Sequence, residues 1–143
     1  MPDRARRSAQ ARAASLIIGM TVSGMGQLSI TVSDLDASVR WYRDVLGLPH
    51  LFTVDGQPMA FLQAGDVRLY LNVTSDERFR SRPVVYYAVD DLEATYAEVT
   101  GRGAEPVSGP HVVHRDGGTE LWMAFVNDPD RTPVGLMAER PAA

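Results

Sequence analysis

Apolar and polar positions alternate along Gln27-Leu28-Ser29-Ile30-Thr31-Val32, the pattern of a half-buried strand. Leu35, Val39 and Tyr42 follow at offsets of four and seven, which is one face of a helix. The same passage recurs 57 residues on. Val84-Val85-Tyr86-Tyr87-Ala88-Val89 is rich in β-branched and aromatic residues, and Leu92, Tyr96 and Val99 repeat the helical offsets. The words between strand and helix also match: Val32-Ser33-Asp34-Leu35-Asp36-Ala37-Ser38 against Val89-Asp90-Asp91-Leu92-Glu93-Ala94-Thr95. Asp34 and Asp91 stand where an N-cap is needed, and Gly47 and Gly101 or Gly103 stand where each helix should end. Three further strands are expected in each half, around Leu51 to Val54, Met59 to Gln63 and Val67 to Asn72, then His111 to His114, Glu120 to Val126 and Val134 to Ala138. Met59-Ala60-Phe61-Leu62 answers Met123-Ala124-Phe125-Val126, and Val67-x-Leu69 answers Val134-x-Leu136. Echoes in one order predict duplication.

The expected fold is therefore α+β, two tandem βαβββ modules whose open sheet faces curve into one shared cleft of mixed sheet. Residues 1–24 are expected to form a flexible tail and residues 25–143 a single domain, with module one at 25–75, a joint at 76–83 and module two at 84–139. The Arg- and Ala-rich start of the chain buries too little apolar surface to offset its ordering entropy. Leu16-Ile17-Ile18 is too short an apolar run for a secretory signal, and no run is long enough to span a membrane, so a cytoplasmic protein is expected.

Alternation selects the cleft residues. If Leu28, Ile30 and Val32 face the helix, Gln27, Ser29 and Thr31 face the cleft. Equal parity places Arg68, Tyr70 and Asn72 there, with Val84, Tyr86 and Ala88, then Glu120, Trp122 and Ala124, and Gly135 and Met137. Asp116-Gly117-Gly118 reads as a hairpin turn that sets His111, Val113 and Arg115 across from Glu120, Trp122 and Ala124. His111 and Glu120 are thus candidates for acid–base chemistry, and Gln27, Arg68, Tyr70, Tyr86 and Trp122 for ligand contacts. Arg68 offers either a donor fork to an anion or an internal ion pair to an acid such as Glu120.

Composition removes other chemistries. The 143 residues contain no Cys, so there is no disulfide, thiolate metal site or cysteine nucleophile. All 14 basic residues are Arg, which excludes Schiff-base lysines and a P-loop. Four of them lie in the first twenty residues beside one Asp, so of the net −4 the rest of the chain carries about −7 and repels nucleic acid.

Ser33-Asp34-Leu35-Asp36-Ala37-Ser38 with Trp41-Tyr42-Arg43-Asp44-Val45-Leu46-Gly47-Leu48, and Trp122-Met123-Ala124-Phe125-Val126-Asn127-Asp128-Pro129-Asp130, resemble the glyoxalase/bleomycin resistance/extradiol dioxygenase proteins, the vicinal oxygen chelate superfamily. The resemblance runs from about Met25 to Glu139. It implies paired βαβββ modules, usually a homodimer, and in metal-dependent members one divalent ion on His, Gln and Glu. Carried over residue by residue, the ligand positions fall on Gln27, Val84, Arg68 or, with a two-residue slip, Tyr70, and Gly135. Only Gln27 could coordinate, and weakly. The expectation is a protein without metal or cofactor that binds an amphipathic or anionic metabolite or antibiotic as a homodimer. Its rival is an enzyme of the superfamily, a glyoxalase, isomerase, lyase or dioxygenase relative, using His111 and Glu120 or a divalent metal. Arg131 stands where the family often has Gly, and a turn needing positive φ would be strained there.

Overall fold

A computed structural model describes residues 21–142 of the chain. The expectations for the tail over residues 1–20 lie outside that range. The first module runs β1 (Gln27–Thr31), α1 (Leu35–Arg40), β2 (His50–Thr53), β3 (Met59–Ala64) and β4 (Val67–Asn72). The second runs β5 (Val85–Ala88), α2 (Leu92–Gly101), β6 (Glu105–Asp116), β7 (Thr119–Asn127) and β8 (Pro133–Pro141). The sheets have matching orders, β1-β4-β3-β2 and β5-β8-β7-β6, each with one parallel pair, β1 with β4 and β5 with β8. The duplication read from the sequence is thus a duplication of architecture. Among the described residues no helix is long and apolar enough to cross a membrane.

Both helices start as their sequences dictate. Asp34 accepts a hydrogen bond from the Ala37 amide at 3.1 Å and Asp91 one from Ala94 at 3.0 Å, each satisfying an orphan donor of the first turn. Beyond Arg40 the first helix widens into a π-helical turn over Trp41–Val45, closed by Leu46 N–H to Trp41 C=O at 3.0 Å. That turn joins the modules. Ile30, Leu62, Leu69 and Leu71 pack under α1, and Leu92, Ala124, Val126 and Leu136 pack under α2; Trp41 and Leu46 touch both cores. Tyr42, 1% exposed, donates to Asp128 Oδ2 at 2.9 Å across the same boundary.

The sequence reading placed β6 at His111 to His114. The strand is 12 residues long and begins at Glu105, running through Pro106, Gly109 and Pro110. Pro and Gly argue against a strand in isolation; here they sit on an edge strand whose pairing with β7 is interrupted by bulges between Pro106 and Ser108, Ser108 and His111, and Val112 and His114.

Candidate functional site

The open face of the first sheet is ordered in rows by its register. One row crosses Phe52, Phe61, Tyr70 and Ser29, with Gln63, Arg68 and Gln27 on one side of it and Met59, Asn72 and Thr31 on the other. The aromatic members stack: Phe52 and Phe61 have ring centroids 4.7 Å apart, and Phe61 and Tyr70 lie 4.9 Å apart and 11° from parallel. The Arg68 guanidinium sits 5.5 Å above Phe61. Residues 73–81 form a strap beside this face and border an open cavity of about 840 Å³, which Gln27, Ser29, Tyr70 and Asn72 line from the sheet and Phe79 and Arg80 from the strap.

Polar groups at the cavity floor are tied into one chain. Ser81 N–H donates to Thr31 Oγ1 at 2.9 Å, Thr31 Oγ1 to Asn72 Oδ1 at 2.9 Å, and Asn72 Nδ2 to Ser29 Oγ at 2.7 Å. The strap is tied to the sheet where Val73 N–H donates to the Pro58 carbonyl at 3.2 Å and where Ser81 N–H meets Thr31. Asp76 pairs with Arg78 at 2.8 Å, and hydrogen bonds from the Arg78 side chain and backbone hold the Asp76 carboxyl below its ordinary value. Arg82 reaches across to the Asp130 carbonyl at 2.7 Å and to Thr132 Oγ1.

The second sheet repeats the rows with an exchange. Phe125, Gly135 and Tyr86 form the row that corresponds to Phe61, Tyr70 and Ser29, so tyrosine and small residue have changed strands. Tyr86, 47% exposed, lies flat over Gly135: a Cβ on that glycine would be 2.6 Å from Tyr86 Cδ1. Tyr86 also meets Phe125 edge-on at 5.7 Å. His111 lies on this face, 6.5 Å from Phe125. Its Nδ1 donates to the Gly109 carbonyl at 2.7 Å.

Glu120, Trp122 and Ala124 are elsewhere. The parity argument assigned them to the cleft, and the structure puts them on the helix side of β7. Trp122 and Ala124 pair with Ala138 and Leu136, Ala124 is fully buried in the α2 core, and Trp122 packs against that core. Alternation misled because β7 is apolar on both faces, Trp122, Ala124 and Val126 on one and Leu121, Met123 and Phe125 on the other. The hairpin turn itself is as expected, Asp116 opposite Thr119 and Arg115 opposite Glu120, but the bulge between Val112 and His114 shifts the register so that His111 meets Met123. His111 and Glu120 therefore lie on opposite faces and are not brought together. Glu120 pairs with Arg115 at 2.6 Å and accepts from Trp122 Nε1 at 3.3 Å; the Arg115 contact, then Trp122, holds its carboxyl below the ordinary range. Arg140 covers the Trp122 ring at 4.6 Å and is bound to Glu93 of α2. Of the five proposed ligand contacts, Gln27 and Tyr70 share the cavity, Arg68 lies in the adjoining row, Tyr86 is on the second sheet's open face, and Trp122 faces the helix.

The sequence model of the Glyoxalase/Bleomycin resistance protein/Dioxygenase superfamily matches residues 24–136. The chain belongs to this superfamily. It is 26% identical over 120 residues to virulence protein STM3117 of Salmonella typhimurium, covering 79% of this chain and 82% of that protein. Its fold matches the crystal structure of TnmS3, an antibiotic binding protein from Streptomyces sp. CB03234, with a TM-score of 0.64 and 22% identity, over 86% of this chain and 99% of that one. It also matches lactoylglutathione lyase from Agrobacterium tumefaciens, with a TM-score of 0.61 and 20% identity, over 81% and 93% of the two chains.

The residues at the superfamily's metal positions do not fit a divalent ion. Gln27 pairs with Arg68, a cation, and Gly135 lies under the Tyr86 ring, which takes the space where a ligand side chain would project. The sheet registers also decide the slip left open by the sequence: Ser29 opposite Tyr70 corresponds to Tyr86 opposite Gly135, so Tyr70 is the counterpart of Gly135. Among the described residues no three His, Cys, Asp or Glu converge to hold a metal.

Sequence reasoning read the strap as a joint, because Ser75 to Arg82 is polar and ends at Pro83. It passed over Phe61 for the opposite reason, since Met59 to Leu62 is a continuous apolar run with no visible face. A second cavity of about 450 Å³ lies between the modules on the helix side, lined by Leu28, Leu46, Leu48, Leu69, Val85 and Leu136 among others. Its apolar lining offers little to orient a ligand.

Proposed function

We propose that this chain is a small-molecule-binding member of the superfamily that works without a metal ion, holding an amphipathic or anionic metabolite or antibiotic in the cavity of the first sheet. The observation that carries the reading is the joining, in one cavity, of the Tyr70 ring, where the aromatic row ends, with hydrogen-bonding groups at Ser29, Asn72 and Gln27. Stacking surface and a few placed polar groups are what a ligand pocket needs. An acid–base pair is not supported at His111 and Glu120, which the sheet separates. The antibiotic-binding relative fits the same role. Sequestration in the cytoplasm by a homodimer is the form we propose for it, and the oligomeric state is taken up below.

The test is a thermal-shift panel of metabolites and antibiotics on the wild-type protein and on Ser29→Tyr, which places in the cavity the side chain that module two carries at Tyr86. A ligand at about 100 times its Kd adds about 2.7 kcal/mol, several degrees for a domain of this size. Hits should raise the Tm of the wild type and not of the variant, with unchanged far-UV circular dichroism in both. Hits that persist in the variant would remove the cavity from the mechanism.

A further inference from the structure

The hydrogen bonds at the floor of the cavity run in one direction, from Ser81 through Thr31 to Asn72 Oδ1 and from Asn72 Nδ2 to Ser29. A backbone N–H can only donate, so Ser81 N–H makes Thr31 Oγ1 an acceptor, and the Thr31 proton points on to Asn72 Oδ1. The Asn72 amide, which is 5% exposed, accepts through Oδ1 and turns its nitrogen toward Ser29. Ser29 Oγ accepts from Asn72, so the Ser29 hydroxyl proton is left to point away from it. Among the described residues neither that proton nor the second Asn72 N–H has a hydrogen-bond partner. Both residues line the cavity. The floor therefore presents two free donors, Ser29 O–H and Asn72 N–H, against one remaining lone pair on Ser29 Oγ, beside Tyr70, with Arg80 on the strap above and the Asp76 carboxylate held by Arg78. Asn72 is buried, and a donor there is better satisfied by an occupant that brings an acceptor.

Resting on the binding role proposed above, we infer that the ligand class is a planar aromatic molecule carrying an acceptor oxygen, best an aryl carboxylate, with its ring against Tyr70 and its oxygens on Ser29 O–H and Asn72 N–H. The arrangement selects against amines, which bring donors to donors. It also selects against saturated rings of equal size, which cannot stack.

Three probes separate these features by titration calorimetry: 2-naphthoate, 2-naphthylmethylammonium, which keeps the ring and reverses the hydrogen bonding, and decalin-2-carboxylate, which keeps the acid and loses the plane. The wild type should bind 2-naphthoate at least about tenfold more tightly than either of the others, the size of effect one charge-assisted hydrogen bond or one aromatic stack carries. Asn72→Asp turns the Ser29 proton inward and gives the floor an acceptor, so it should weaken 2-naphthoate at least about tenfold and strengthen the ammonium. Should Asn72→Asp not fold, Ser29→Ala removes one donor only and should weaken 2-naphthoate while leaving the ammonium unchanged. Tyr70→Leu should erase the preference for naphthoate over its saturated analogue. Equal affinity for acid and amine in the wild type, a uniform loss for both in the variants, or no binding of 2-naphthoate overturns the proposal. In those cases compounds from the panel that are still blocked by Ser29→Tyr leave the cavity as the binding site with a different ligand class. Binding of 2-naphthoate that Ser29→Tyr does not disturb overturns both.

Discussion

Arg131 carries the one positive φ, 61°, outside glycine among the described residues. It closes the turn from Asp128, with its N–H on the Asp128 carbonyl at 2.9 Å, in the loop that follows β7. The left-handed conformation costs a side-chain-bearing residue about 1–2 kcal/mol, part of which glycine returns as lost freedom of the unfolded chain. Its exposed ion pair with Glu105 offsets little. Arg131→Gly should therefore stabilise the protein by about 0.5–1 kcal/mol, read as a Tm raised by a few degrees. Asp128, in the same loop, is buried and accepts from Asp130 N–H and Thr132 N–H at 2.9 Å each and from Tyr42. Burial outweighs these hydrogen bonds and raises its carboxyl above the ordinary value. An acid raised by folding takes up its proton more readily in the folded state, so its contribution to stability grows as pH falls through the raised value and levels off below about 4. Asn cannot titrate. The stability of the wild type relative to Asp128→Asn should shift in favour of the wild type between pH 7 and about pH 4, measured by denaturant melts. The exposed carboxyls held low by arginines, Asp76, Glu93 and Glu120 among them, lose their contribution over the same range in both proteins and cancel.

At the scale of elements, the two sheets show how one exchange changes a site. Module one pairs Ser29 of β1 with Tyr70 of β4 and leaves space above the serine, whereas module two pairs Tyr86 of β5 with Gly135 of β8 and fills it. The missing Cβ of Gly135 is what lets the Tyr86 ring lie flat. Gly135→Ala should cost about 1–3 kcal/mol through overpacking, since the contact is with the inner ring atoms rather than a flexible end. In a Tyr86→Ala background the same substitution should cost almost nothing, and a double-mutant cycle reads the difference as a coupling of about 1 kcal/mol or more. Additive losses would show that the ring does not depend on the glycine. The bulges of β6 act at this scale too, because a one-residue shift moves His111 from opposite Ala124 to opposite Met123 and so to the other partner face.

For the whole molecule, the joint between modules is the π-helical turn, whose Trp41 and Leu46 pack against both cores while Tyr42 reaches Asp128. Each sheet keeps an outer edge, β2 in one and β6 in the other, and exposed apolar side chains stand on both: Leu51 and Phe52 on β2, Val107 and Val113 on β6. An open edge with exposed apolar residues is a surface that natural proteins cover. The proposed homodimer would cover it, and light scattering at micromolar concentration should give a mass near twice 15.6 kDa. Charged substitutions at Phe52 or Val113 should lower that mass; a monomer for the wild type would refute the dimer.

The sequence by itself determined the architecture, because duplication, caps and periodicity are local signals repeated in register: Asp34 and Asp91 cap the helices, and β1 and β4 expose the residues their alternation assigns. It did not determine the face of β7, which is apolar on both sides, and a bulge in β6 separates the His111 and Glu120 that an unbroken register would have set on one face. Nor did it reveal the strap, since a polar segment becomes a cavity wall only when Ser81 meets Thr31 and Arg82 meets Thr132, contacts across 50 residues. Local propensity cannot express contacts at such separation, because the partners are chosen by how two sheets and their connections pack.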